Sequence, residues 1–150
     1  MNIYFICTGN TCRSPMAEAI LKNKNLTNVN VRSAGIYALE GGQMSENSST
    51  VLDQENIPHQ HLSRQISRED VAWADLILTM TTGHKEMVIR NFEGAYEKTY
   101  TLKEYATPYS VQDVFDPFGG DVTLYKQTFD ELKRTIDELE EKLVMGGKIE

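Results

Sequence analysis

An α/β fold with a central parallel sheet is what this 150-residue chain predicts, on two observations. Short apolar runs at 2–6, 28–31, 76–80 and 99–102 alternate with stretches of helical periodicity, as strands joined by crossover helices do. The first run ends at Cys7, and the loop after it leads straight into a helix. Ligands of parallel sheets bind beyond the carboxyl ends of the strands, where that loop lies. The expectation is one domain over 1–150, a four-stranded parallel sheet with helices on both faces.

Taken in order, Ile3-Tyr4-Phe5-Ile6 suits a buried parallel strand. Met16 to Leu21 reads as helix, with Ser14 as cap and Pro15 at the first helical position. Asn28 to Ser33 is a modest second strand, and Asn47 to Glu55 a helix with polar N-terminal residues. Ser67-Arg68-Glu69-Asp70 has the form of a capping sequence leading into Val71-Ala72-Trp73-Ala74. Leu76 to Met80 is the clearest buried strand, followed by a helix over about 82–91 and a fourth strand from Lys98 to Leu102. Tyr105 to Gly120 lacks regular periodicity and holds Pro108, Pro117, Gly119 and Gly120. Beyond it Val122, Tyr125, Phe129, Leu132, Ile136, Leu139 and Leu143 recur at helical spacing up to Gly146-Gly147, with a Lys/Glu face that reads as solvated surface.

A hydrophobic fraction of 40% and a charged fraction of 25% are ordinary for a soluble domain. No run approaches transmembrane length, and the first residues read as strand rather than signal peptide, so a cytoplasmic location is expected. Cys7 and Cys12, the only two cysteines, share one loop and imply no disulfide framework. With 22 acidic against 15 basic residues the net charge is −7, which argues against nucleic acid or an anionic membrane as partner. Any anion site must therefore be a local positive spot in a negative protein.

The run Cys7-Thr8-Gly9-Asn10-Thr11-Cys12-Arg13-Ser14-Pro15 has the residues for such a spot. Backbone N–H groups of the loop and of the first helical turn form a positively polarised nest for an anion. That field favours thiolate over thiol, so a lowered pKa is expected for Cys7. Arg13 adds a planar, permanently charged fork for two phosphate oxygens, and Gly9 gives the loop backbone its freedom. A thiolate attacking phosphorus expels a leaving group that needs a proton, so a general acid is required. Asp116 is the choice: it lies in the irregular segment, fixed by Pro117 and followed by Phe118 and two glycines. The same Asp-Pro-Phe-Gly-Gly also reads as ordinary turn chemistry. Asp113 lacks the proline, Asp121 reads as a helix cap, and a lone His61 is more often structural.

With Cys-x5-Arg-Ser-Pro near the N-terminus and Asp-Pro-Phe-Gly-Gly about a hundred residues on, the chain resembles the low-molecular-weight protein tyrosine phosphatases. Met16-Ala17-Glu18-Ala19, Ser33-Ala34-Gly35, Arg64-Gln65-Ile66, Leu76 to Met80 and the C-terminal helix extend the likeness over nearly the whole chain. The resemblance implies a four-stranded parallel sheet, no metal or other cofactor, and a two-step reaction through a phosphocysteine on Cys7. Arg13 and the loop from Thr8 to Cys12 would hold the phosphoryl oxygens. Asp116 would act as acid and then as base, and Ser14 would donate to the sulfur. Asn10, Ser33 and His61 match a network that holds the loop, whereas read alone His61 would be a surface residue. Tyr37 and Phe118 suit walls that sandwich a flat substrate group, although either aromatic read alone would be core or surface.

Thr11 stands where most tyrosine phosphatases carry a branched aliphatic residue, and this is similar to the bacterial protein arginine phosphatases, as is Thr101-Leu102-Lys103-Glu104-Tyr105. A hydroxyl there would pair with the N–H groups of a phosphoguanidinium, which an aliphatic side chain leaves unpaired at a cost of about 1–3 kcal/mol. The resemblance also implies that Cys12 can form a disulfide with Cys7 on oxidation. The expected partners are thus phosphorylated proteins, carrying phosphoarginine or alternatively phosphotyrosine, met by a monomer. Two remoter readings are an arsenate reductase, which needs relay cysteines that this chain lacks after Cys12, and a cysteine phosphocarrier, which needs neither Arg13 nor an acid.

Overall fold

A computed structural model describes residues 1–145. The elements follow as β1 (Asn2–Cys7), α1 (Arg13–Asn23), β2 (Asn30–Gly35), α2 (Glu46–Gln54), α3 (Arg68–Trp73), β3 (Leu76–Thr79), α4 (Thr82–Asn91), β4 (Thr99–Thr101), α5 (Leu102–Ala106) and α6 (Val122–Met145). A short 3-10 turn, Tyr96–Lys98, precedes β4. The four strands are all parallel in the order β2-β1-β3-β4. The chain adds β2 on one side of β1 and β3 on the other, so the order reverses at the carboxyl end of β1. A crevice opens at such a switch point, and Cys7 stands in it.

Period-two alternation in β1 feeds two cores. Ile3, Phe5 and Cys7 face the cluster built with Met16, Ile20, Leu52, Phe129, Leu132 and Ile136, from α1, α2 and α6. Tyr4 and Ile6 face the smaller cluster of Ala34, Val71, Ile77 and Val88, under α3 and α4. Helices therefore cover both faces, as all-parallel sheets require. In α6 the predicted stripe from Tyr125 to Leu143 is buried, whereas Val122 is partly exposed. The Gly146-Gly147 stop expected for this helix lies outside the described residues.

Several boundaries differ from expectation for local reasons. Asn28 has φ +64°, a left-handed turn conformation that asparagine tolerates, so β2 starts only at Asn30. Leu102 ends no strand; it opens α5, where Thr101 and Glu104 form a reciprocal capping box. Ser14 is not the cap of α1, which begins at Arg13 after an N-cap Cys12 with no side-chain cap bond. Its hydroxyl is used elsewhere.

Candidate active site

Cys7 is the last residue of β1 and 3% exposed, at the floor of a cavity of about 250 Å³ lined by Cys7, Thr8, Gly9, Thr11, Cys12, Arg13, Asp116 and Phe118. Two wider clefts of about 580 and 960 Å³ share Glu18 and His61, and neither is lined by Cys7 or Cys12.

The loop turns because Asn10 adopts φ +58° and its side chain is fully consumed in holding that turn. Asn10 Nδ2 donates to Ser14 Oγ at 2.8 Å and to Ser33 Oγ at 2.9 Å, while its Oδ1 accepts the Arg64 amide at 2.9 Å. Its carbonyl accepts from His61 Nε2 at 2.7 Å and from Ser63 Oγ at 2.8 Å. So Asn10, Ser33 and His61 meet in one network, and His61, with a side chain only 7% exposed, is no surface residue. Asn10, counted with the loop expected to hold the phosphoryl oxygens, is absent from the cavity lining, and its side chain serves the network.

Glu18, which no sequence signal singles out as a site residue, sets the direction of these bonds. Ser33 donates to Glu18 Oε1 at 2.6 Å, an acceptor that has no proton to give. Ser33 must therefore accept from Asn10, whose other amide hydrogen goes to Ser14, and the Ser14 proton is left for Cys7 Sγ at 2.8 Å. Burial works against the Glu18 charge, but contacts from His61, Lys22 and Ser33 outweigh it and hold the carboxyl below its ordinary range. The one available hint is spacing: Ser14, Glu18 and Lys22 recur every four residues along one face of α1.

The Cys7 thiol departs from expectation. Burial is the largest influence and pushes it up, against the Ser14 hydroxyl, the Ser14 and Asn10 amides and the Arg13 charge, which all pull it down. The field foreseen in the sequence is present, but desolvation in a closed floor exceeds it.

Arg13, 4% exposed, is fixed by Nη1 donating to the Val114 carbonyl at 3.2 Å, while Nη2 lies 3.4 Å from Asp116 Oδ2. Val114 N in turn donates to Met80 O at the end of β3, so the segment bearing Asp116 is tied to both sheet and guanidinium. Asp116 is half exposed, and its Oδ1 accepts the Phe118 amide at 3.0 Å, a local Asx turn. The two readings of Asp-Pro-Phe-Gly-Gly thus coexist. Asp113 is occupied by the Thr82 amide and Asp121 caps α6 at Leu124, which leaves Asp116 as the carboxylate at the cavity.

Other expectations shift. Gly9 has an ordinary backbone and room beside it, with the nearest atom to a Cβ at 3.8 Å; the glycine that the loop requires is Gly35, where a Cβ would lie 2.5 Å from Thr8 O. Phe118 lines the cavity, whereas Tyr37 stands outside its lining and is exposed. Cys12 is buried and free, 3.3 Å from the Tyr125 hydroxyl. Thr11 lines the cavity as expected. The 101–105 stretch does not line it: Glu104 pairs with Lys85, and Tyr105 packs on Tyr100.

A thiol with a hydroxyl donor, a fixed guanidinium and a carboxylate around one small cavity define a cysteine phosphatase site. The family model for low molecular weight phosphotyrosine protein phosphatase matches residues 2–147, and the chain belongs to that family. It is 47% identical over 141 residues to a protein-arginine-phosphatase of Geobacillus stearothermophilus, covering 94% of this chain and 95% of that one. To the low molecular weight protein-tyrosine-phosphatase PtpB of Staphylococcus haemolyticus it is 41% identical, covering 93% and 97%. A solved YwlE arginine phosphatase, a mutant with a phosphorylated active site serine, superposes with a TM-score of 0.94 at 43% identity, covering 100% of both chains.

Proposed function

We propose that this protein is a phosphatase of phosphoarginine in proteins, working through a phosphocysteine. Cys7 first gives its proton up to solvent. Its thiolate, held by the Ser14 hydroxyl, attacks phosphorus as the bond from phosphorus to the guanidinium nitrogen breaks, while Asp116 gives its proton to that nitrogen. Arg13 and the loop amides bind the equatorial oxygens as charge builds on them. Asp116, now a carboxylate, takes a proton from the water that cleaves the phosphorus–sulfur bond, and Ser14 stabilises the departing thiolate. Asn10, Ser33 and His61 hold the loop in shape, and Phe118 flanks the leaving group.

One observation carries the choice of substrate: the Thr11 hydroxyl lines the same small cavity as Cys7 and Asp116, offering acceptors that a guanidinium needs and a phenol does not. Two arginine phosphatases among the relatives support it. The second reading, phosphotyrosine, has the support of Phe118 on the cavity wall and of the relative named PtpB. We extend the proposal to a monomer in the cytoplasm, with neither nucleic acid nor membrane as partner. The free thiols and the net charge of −7 support this, and no described helix is long and apolar enough to cross a membrane. Reversible Cys7–Cys12 disulfide formation belongs to the same proposal, and peroxide-treated protein should yield that linked peptide by mass spectrometry.

The test compares kcat/KM on one peptide carrying phosphoarginine or phosphotyrosine, for the parent and Thr11→Ile. The parent should prefer phosphoarginine, and the variant should lose about tenfold of that preference. A parent that prefers the aromatic ester, with Thr11→Ile unchanged, overturns the arginine assignment. Acid-quenched reactions that never yield phosphate on Cys7 while turnover continues overturn the mechanism.

A further inference from the structure

Thr8, next to Cys7, is the cavity residue whose side chain the reaction leaves without a task. It is exposed, so on its own it would rotate among rotamers. Instead its Oγ1 lies 2.8 Å from His84 Nε2. His84 is in the first turn of α4, its amide capped by Thr81 Oγ1 at 3.1 Å, and its ring is held under the loop at 9% exposure. The other ring nitrogen, Nδ1, is buried with no hydrogen-bond partner among the described residues. An apolar ring would fill the same space without an orphaned nitrogen. What the imidazole adds is the single bond to Thr8.

That bond leaves Thr8 equipped for a guanidinium. A hydroxyl has one hydrogen and two lone pairs, and His84 engages one of these three, so at least one lone pair stays open whichever tautomer is present. The ring is also uncharged near neutral pH: burial first, then the Arg13 charge, lower its pKa to about 4 against the pull of Asp113 and Asp116. No cation is therefore added where a positively charged leaving group must sit.

We infer that Thr8, oriented by His84, is a second specificity-determining hydroxyl, accepting an N–H of the phosphorylated guanidinium alongside Thr11. The inference rests on the phosphoarginine reading and adds a residue to it. A phosphotyrosine ring carries no N–H, so the contact acts on the ratio between the two substrates.

The experiment measures kcat/KM for phosphoarginine and phosphotyrosine forms of one peptide, with thermal melts, for Thr8→Val, Thr8→Ser and His84→Phe. Thr8→Val should lower the phosphoarginine-to-phosphotyrosine ratio about tenfold, and Thr8→Ser should keep most of it. His84→Phe should lower the ratio about threefold, since the hydroxyl is freed to rotate but not removed, with Tm equal to or above the parent's. Thr8→Val acting equally on both substrates, or His84→Phe lowering Tm and both activities together, overturns the inference and assigns the pair a structural role. If the parent prefers phosphoarginine and Thr11→Ile removes that preference while Thr8→Val does not, this inference falls and the substrate reading stands. A parent with no such preference overturns both.

Discussion

The two segments that meet at the cavity are held in opposite ways. In the loop from Cys7 to Ser14, Asn10 and Ser14 are fully buried and hydrogen-bonded, and Arg13 is pinned by a carbonyl. In the segment from Thr107 to Asp121, Tyr109, Val111, Phe115 and Phe118 are exposed, and a few contacts anchor the backbone: Val114 to Met80, Phe115 to Glu131 and Gly120 to Asn47. Groups whose geometry must not change are buried in a multiply bonded network, while the group that passes a proton to a variable leaving group rides on lightly held chain. Arg13 is the joint between them, through Val114 and Asp116.

If this division holds, activity and stability separate cleanly at Asp116. Asp116→Asn should cost about 10²–10³-fold in kcat on a substrate with a poor leaving group. The carboxylate is half exposed although the Arg13 guanidinium 3.4 Å away is buried, and Arg13 keeps its bond to the Val114 carbonyl, so stability should move by no more than about 1 kcal/mol. Kinetics beside a denaturant melt check both. Unchanged turnover would remove the acid role and bring a phosphocarrier back into consideration.

Asn10→Ala should do the reverse in kind, damaging both properties. It removes three side-chain hydrogen bonds, takes the shared Asn10 partner from the Arg64 amide and from the Ser14 and Ser33 hydroxyl oxygens, and puts alanine at φ +58°. A loss of about 2–4 kcal/mol in stability is expected, with about 10–100-fold in kcat/KM as the loop loses shape. A melt like the parent's would mean that the network is not what stiffens the loop.

How far the sequence discloses each region follows the same division. Cys7, Arg13 and the strand–loop–helix order are local along the chain, so residue type and spacing reveal them. Glu18, His61, Ser63 and Arg64 reach the loop only through the fold, from α1 and the segment before α3. Apart from the four-residue spacing of Glu18 with Ser14 and Lys22, no period marks them, and only the family likeness pointed to His61. Burial also reversed a local inference: the amides that favour the Cys7 thiolate lie in a floor too dry for its net pKa to fall. Thr101 to Glu104 misled in a different way, since an apolar run continuing into a capping box looks like a longer strand.

Ser14→Ala probes the buried side more gently. The Ser14 proton stabilises the Cys7 thiolate, so its removal raises the thiol pKa further and shrinks the thiolate fraction at any pH below it. The alkylation rate of Cys7 by iodoacetamide, plotted against pH, should move to higher pH, and the reaction near pH 7 should slow several-fold as the thiolate fraction shrinks. A profile displaced to lower pH would contradict the bond direction that Glu18 imposes.

Phe118→Ala is the mildest change and bears on the exposed side. At 79% exposure the ring packs on little of the protein, so its removal should leave the melt where it is. Its contribution arises only when a flat phosphorylated group enters beside it, where stacking adds about 0.5–1.5 kcal/mol, or roughly 2–10-fold in kcat/KM. Because chemistry at Cys7 is untouched, the loss should fall on KM more than on kcat. A guanidinium and a phenol both present flat faces, so the factor should be similar for the two substrates, unlike the selective effect at Thr11. A fall in Tm would show instead that the ring braces the 107–121 segment, and the contrast between a rigid loop and a lightly held one would have to be redrawn.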